Sequence, residues 1–163
     1  MSDLTFTDPR VLRAIELIWH EARLLDIKDY PAWEQLYTDD GLYVIPIDPD
    51  TEDFESSLNM VYDDKRMRNL RVQRMTQGYA PSAVAAARTV RIVSRFTVDS
   101  VDDTRVVVRS AQIINAFKRN EFVTLGGELV HTITLADSGD RISRKVVRLI
   151  DSEDAVRASG YLL

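Results

Sequence analysis

Two histidines and no cysteine set the chemical limits of this chain of 163 residues. Without a thiolate there is no disulfide, no cysteine nucleophile and no cysteine-held cluster. A site of two histidines and one carboxylate for a mononuclear iron remains arithmetically open, so each imidazole needs its own reading. His20 stands in the run "HEAR", which begins like a zinc His-Glu-x-x-His helix. Leu24 occupies the place of the second histidine, and the pattern fails. One turn after Glu16 and off the apolar stripe, His20 reads as a helix-surface histidine. His131 is different. It shares phase with Leu125, Leu129, Ile133 and Leu135 in a period-two run, so it points inward. An inward histidine beside an aspartate can act as a general base in proton transfer, and Asp26 or Asp40 is the candidate partner. The competing reading is a buried, hydrogen-bonded core histidine. No phosphate-cradling glycine loop, nucleophile elbow or dinucleotide fingerprint is present.

The elements that position these residues follow from spacing. Asp8-Pro9 opens a helix, with Asp8 as its N-cap. Val11, Ile15, Ile18, Ala22 and Leu25 then recur at spacings of three and four along one face. A short second helix is expected over Ala32 to Tyr37, followed by a turn at Asp39-Asp40-Gly41 and a strand in "LYVIPI". The acidic run "DPDTEDFES" reads as an exposed, mobile loop. A short strand in "SLNMVYDD" precedes a third helix in "DKRMRNLRVQRM", capped by Asp63 or Asp64. From Arg88 the period changes to two, with Val90, Ile92, Phe96 and Val98 on the inner side. Four long strands in series, joined by short turns, predict an antiparallel meander. Gly126-Gly127 is expected to bulge or bend the third of these. Helices followed by a curled sheet make an α+β domain spanning 1–163, a cone with an interior pocket.

Composition narrows the partners. Lys plus Arg number 21 against 26 Asp plus Glu, a net charge of -5, which argues against a nucleic-acid binder. No apolar run reaches the roughly 18 residues of a membrane helix, and a cytoplasmic location is the default expectation. The third helix bunches Lys65, Arg66, Arg68, Arg71 and Arg74. Either Arg66, Arg68, Arg71 and Arg74 contact another subunit, or these side chains pair with the acidic loop Asp48 to Glu55 or with Asp63 and Asp64. Apolar residues on both faces of the later strands (Val106 to Val108, Val146 and Val147) leave one face wanting cover.

The stretch "EARLLDIKDYPAWEQLYTDDGLYVIP" resembles the opening of the small, or beta, subunit of bacterial aromatic ring-hydroxylating dioxygenases. Glu21, Ala22, Leu25, Asp26, Tyr30, Trp33, Asp40, Tyr43 and Pro46 stand at the family's places. "YDDKRMRNLRVQRM" is similar to its Asp-Asp-x-x-x-Leu-x-x-Arg helix, through Asp63, Asp64, Leu70 and Arg71 or Arg74. "RTVRIVSRFTV" and "ISRKVVRLID" match its later strands. The chain departs from the family in "APSAVAAARTV", where alanines separate Pro81-Ser82 from Arg88. The resemblance implies a cone-shaped α+β fold of the nuclear-transport-factor-two-like class, with N-terminal helices on a strongly curved, mostly antiparallel sheet. It implies a non-catalytic subunit in aromatic-compound breakdown, supporting a large (alpha) subunit as three large and three small chains. The large subunit would carry a Rieske 2Fe–2S cluster and a mononuclear iron. A Rieske cluster needs two cysteines and two histidines, so no such cofactor belongs on this chain. The alternative is a free-standing dehydratase, isomerase or small-molecule-binding protein built around His131, Asp26 and Asp40.

Overall fold

The first helix, α1 (Pro9–Asp26), starts where Asp8 accepts a hydrogen bond from the Arg10 amide at 2.9 Å, with proline at the first helical position. Its buried face carries Val11, Ala14, Ile15, Ile18, Leu24 and Leu25, and also the charged Glu21. The computed structural model describes residues 6–77, 87–153 and 161–163. The Pro81-Ser82 departure lies outside them.

After α2 (Tyr30–Glu34) come β1 (Tyr37–Pro46), β2 (Asn59–Asp63), α3 (Lys65–Thr76), β3 (Arg88–Val101), β4 (Arg105–Lys118), β5 (Glu121–Thr134) and β6 (Arg141–Leu149). The strands form one sheet in the order β2-β1-β6-β5-β4-β3. Among the described residues, only β1 and β6 pair in parallel. Helix α1 packs on the inner face against β3 and β4, while α3 closes against α2, β1 and β2. Asp64, not Asp63, caps α3, accepting from the Met67 amide at 2.9 Å.

Several local expectations are corrected. Asp39-Asp40-Gly41 is no turn but an irregular stretch of β1, where its register with β6 shifts between Tyr37 and Leu42. Tyr37 accordingly belongs to the strand, not to the second helix. Gly126-Gly127 produces no bulge against β4, since pairing runs unbroken from Gln112–Gly127 to Ile113–Gly126. The glycine at 127 answers a close approach instead. A Cβ there would stand 2.9 Å from the Arg148 carbonyl oxygen, a backbone atom that cannot step aside. Gly127→Ala is therefore expected to cost about 1–3 kcal/mol. Gly126→Ala, whose Cβ would meet only Ile150 Cδ1 at 3.5 Å, should be neutral or stabilising. Urea unfolding midpoints of the two variants check the contrast.

The alternation in β3 predicts Val90 and Ile92 inside, yet both face outward, about two-thirds exposed, while Arg91 and Val93 are buried. The phase flips within the strand. Arg95 adopts a left-handed backbone (φ 57°) where the register with β4 shifts between Ser94 and Thr97. One extra residue there reverses the side chains that follow, up to a second register shift between Val98 and Ser100. Phe96 and Val98 thus pack partly inward as expected, and Val90 and Ile92 do not. Arg91 is welcome inside because Asp26, at the end of α1, meets its guanidinium Nε at 2.8 Å and its amide at 3.0 Å. Trp19 Nε1 likewise donates to the Val93 carbonyl at 2.8 Å. Side chains of α1 thereby satisfy backbone groups along the outer edge of β3, which otherwise lacks a neighbouring strand among the described residues.

The loop after β1 is also less exposed than its acidity predicts. Phe54 is buried against Val44, Val130 and Val146 on the outer sheet face. The Arg144 and Arg148 guanidinium carbons lie 5.5 and 5.4 Å from its ring centroid. That part of the outer face is covered by the chain itself.

Candidate functional site

His131 sits in a row of inward positions crossing the sheet. Successive cross-strand partners are Asp63, Tyr43, Lys145, His131, Val108 and Val98, one from each strand. Above the row lies Glu21 of α1. Its Oε1 receives His131 Nε2 at 2.8 Å and Lys145 Nζ at 3.1 Å. Its Oε2 receives Trp33 Nε1 at 2.9 Å and Tyr37 Oη at 3.3 Å. Glu21, His131 and Lys145 are each no more than 2% exposed. The Trp33 ring also meets Tyr37 and Tyr43 edge-on, with centroids 5.1 and 5.5 Å away.

The partner of His131 is thus Glu21, and the expectation of Asp26 or Asp40 is corrected. Asp26 is engaged by Arg91 and by the Thr89 hydroxyl at 2.9 Å. Asp40 lies at the exposed surface, accepting from Thr38 Oγ1 at 2.8 Å. A trace of Glu21's role is readable in the sequence. It lies three residues after Ile18 and three before Leu24, a carboxylate inside the apolar stripe, and such residues are rarely buried without a partner.

Charge states follow from the geometry. Burial pushes the Glu21 carboxyl up, but the Lys145 ammonium and the His131 hydrogen bond more than offset it, so the group stays ionised. Burial pushes His131 down despite Glu21, and the ring is neutral at pH 7. A carboxylate only accepts, so the proton of neutral His131 is on Nε2. Its Nδ1 is buried with no partner among the described residues. Burial also lowers Lys145, against the pull of Glu21, and raises Tyr37 and Tyr43. A general base needs a substrate proton within reach. Here Nε2 is held by Glu21, and the ring has no exposed surface.

The basic cluster of α3 divides. Arg68 is fully buried within this chain and has no surface to offer another subunit, a correction to that expectation. It meets Glu34 Oε2 at 3.0 Å, donates to the carbonyls of Gly41 and Thr38, and lies 4.5 Å over the Tyr37 ring. Arg71 forms a fork with Asp63, at 2.6 and 3.1 Å. Lys65 pairs with Asp39 at 2.6 Å. Arg66 and Arg74 remain exposed. On the outer sheet face, Val90, Ile92, Ile113, Phe122 and Ile150 are exposed by 54% to 82%. Ile92 pairs with Ile113 and Ile113 with Gly126, while Phe122 packs on Phe117 at 4.8 Å, two rows along the same face beyond the Asn115–Thr124 pair. Among the described residues, no group of three or more His, Asp or Glu side chains is arranged to hold a metal ion. No helix among them is long and apolar enough to cross a membrane.

Residues 20–153 match the family model of the ring-hydroxylating beta subunit. The chain belongs to that family. A curated relative is the small oxygenase component of the p-cumate 2,3-dioxygenase system of Pseudomonas putida, 27% identical over 147 residues. That alignment covers 89% of this chain and 81% of the relative. Among solved structures, the beta subunit of benzoate 1,2-dioxygenase from Burkholderia mallei superposes with a TM-score of 0.74. It is 20% identical, over 96% of this chain and 97% of that one. A nuclear-transport-factor-two-like protein with a cystatin-like fold from Novosphingobium aromaticivorans gives 0.63 at 18% identity, covering 93% and 92% of the two chains. The expected fold class is therefore correct. The chain is the small subunit of a ring-hydroxylating dioxygenase, an oxidoreductase with a larger partner subunit. An iron-sulfur cluster does not fit this small subunit, whose donor inventory holds no cysteine. Its two imidazoles share no site either, since His20 is exposed and His131 is sealed against Glu21.

Proposed function

We propose that this small subunit takes no part in oxygen chemistry and instead supports the larger subunit, which carries a Rieske cluster and a mononuclear iron. The proposed assembly has three large and three small chains, is cytoplasmic, and works in the breakdown of aromatic compounds. The observation that carries this reading is the donor inventory: without cysteine the chain cannot ligate a Rieske cluster, and its inward histidine is sealed against Glu21. The exposed apolar residues Val90, Ile92, Ile113, Phe122 and Ile150 on one sheet face support a docking role, because exposed apolar surface of this kind marks an interface. Arg66 and Arg74, both exposed, are proposed as further subunit contacts.

Geometry does not favour a dehydratase or isomerase at His131, since the ring is closed to solvent. Co-expression of the two subunits tests the docking reading. The double variant Ile92→Asp/Phe122→Asp is expected to fold as the native chain does but to lose co-purification with the iron-bearing subunit. Retention of the complex at native yield would overturn the assignment of this face. Arene hydroxylation by the isolated small subunit would overturn the non-catalytic role.

A further inference from the structure

Helix α1 and the free edge of β3 flank an open groove of about 560 Å³, whose lining includes Trp19, Ala22, Arg23, Ile27, Ile92 and Val93. Trp19 is 53% exposed, Ile27 56% and Ile92 66%, so the groove offers apolar surface to whatever enters it. The strand edge along it is only half capped. In an antiparallel ladder the N–H and C=O of one residue point to the same side. Asp26 accepts from the Arg91 amide, and Trp19 Nε1 donates to the Val93 carbonyl. Arg91 and Val93 therefore both turn their backbone groups away from β4. The Arg91 carbonyl and the Val93 N–H face the groove with no hydrogen-bond partner among the described residues.

An acceptor and a donor on either side of Ile92 have the spacing of a parallel bridge. One extended residue opposite Ile92 would give its N–H to the Arg91 carbonyl and receive the Val93 N–H on its own carbonyl. An antiparallel strand would need both groups of Arg91 or both of Val93, and α1 already holds one of each. Charge adds a second selection. Asp26 is matched by Arg91 at 2.8 Å, whereas the exposed Arg23 has no ion-pair partner among the described residues. We propose that the groove takes an extended segment of the larger partner subunit, added in parallel to the edge of β3. Its apolar side chains would lie on Trp19 and Ile27, and a carboxylate would meet Arg23. The inference rests on the docking of that subunit on the outer sheet face. Ile92 lines the groove and also stands on that face, and a strand edge with free donors and acceptors is a template for another chain.

Two measurements on the co-expressed complex test the proposal. In the first, amide hydrogen exchange is compared between the complex and the isolated small subunit. The Val93 amide should exchange slower by roughly tenfold or more in the complex. In the second, Ala22→Phe fills the groove and Arg23→Glu reverses its charge. Each should weaken the complex by roughly tenfold or more, read by dissociation on dilution. Should Ala22→Phe not fold, Arg23→Glu, at the exposed surface, carries this measurement. An unchanged Val93 amide, or groove variants that hold the larger subunit as the native chain does, would each overturn the proposal. Phe122→Asp, outside the groove, separates the two failures. If it breaks the complex while the groove variants do not, the groove alone is refuted and the docking face stands. If it too leaves the complex intact, the docking face is refuted as well.

Discussion

Glu21→Ala is expected to destabilise the small subunit by about 3–5 kcal/mol, the range for removing one partner of a buried charge pair. The loss is large because one carboxylate serves Lys145, His131, Trp33 and Tyr37 together. Alanine would leave the buried Lys145 ammonium without its counter-charge and the Trp33 indole N–H without an acceptor. Glu21→Gln separates charge from shape, since it can still accept from Trp33 but cannot match Lys145. It should fall between native and alanine. A Glu21→Leu/Lys145→Met pair removes both charges and should recover much of the loss. Denaturant midpoints at constant slope measure all three.

The same cluster predicts a direction for pH. Glu21 ionises more readily in the folded chain than its usual 4.5, so its stabilisation is present above that value and is lost as pH falls below it. His131 is pushed below its usual 6.5 by burial, so on acidification the unfolded chain takes up a proton that the folded chain resists. Both effects have one sign. Stability should fall as pH is lowered through 6.5 and again below 4.5, with Glu21→Gln losing the second stage. A flat midpoint between pH 7 and 4 would contradict the assigned charge states.

Arg68→Ala is the second large effect, again expected at about 3–5 kcal/mol. The guanidinium ties α3 to α2 through Glu34 and to β1 through the carbonyls of Gly41 and Thr38. It holds the irregular stretch of β1 where a Cβ on Gly41 would come within 3.0 Å of the Thr38 oxygen. Without Arg68, Glu34 is left buried and unmatched, and a cavity opens over Tyr37. Lysine should not rescue it, because one ammonium cannot reproduce the planar fork. Arg66→Ala, at the exposed surface of the same helix, should stay within about 0.5 kcal/mol. Thermal unfolding of the two variants distinguishes a structural arginine from a surface one.

Local rules were enough for much of this protein. Asp8-Pro9, the stripe from Val11 to Leu25, an aspartate cap on α3 at 63 or 64 and the antiparallel order of β3 to β6 all rest on interactions within a few residues or between successive strands. The Arg119-Asn120 turn is equally local, both residues taking the left-handed conformation that a two-residue hairpin favours. The inward phase of His131 was legible too, because β5 keeps its register with β4 from end to end. The lack of a Rieske cluster on this chain follows from composition alone, since no cysteine is present to ligate one.

Tertiary structure decided the rest wherever one residue's fate depends on a distant one. The bulge at Arg95 put Arg91 inside and Val90 and Ile92 outside, a reversal that alternation cannot reveal. His131 acquired Glu21 rather than an aspartate because α1 crosses the sheet with that face down, 110 residues away in sequence. Arg68 and Arg66 look alike along the chain. Their helix turns one toward Glu34 and the other toward solvent, and burial is a property of the packed neighbours, not of the residue type.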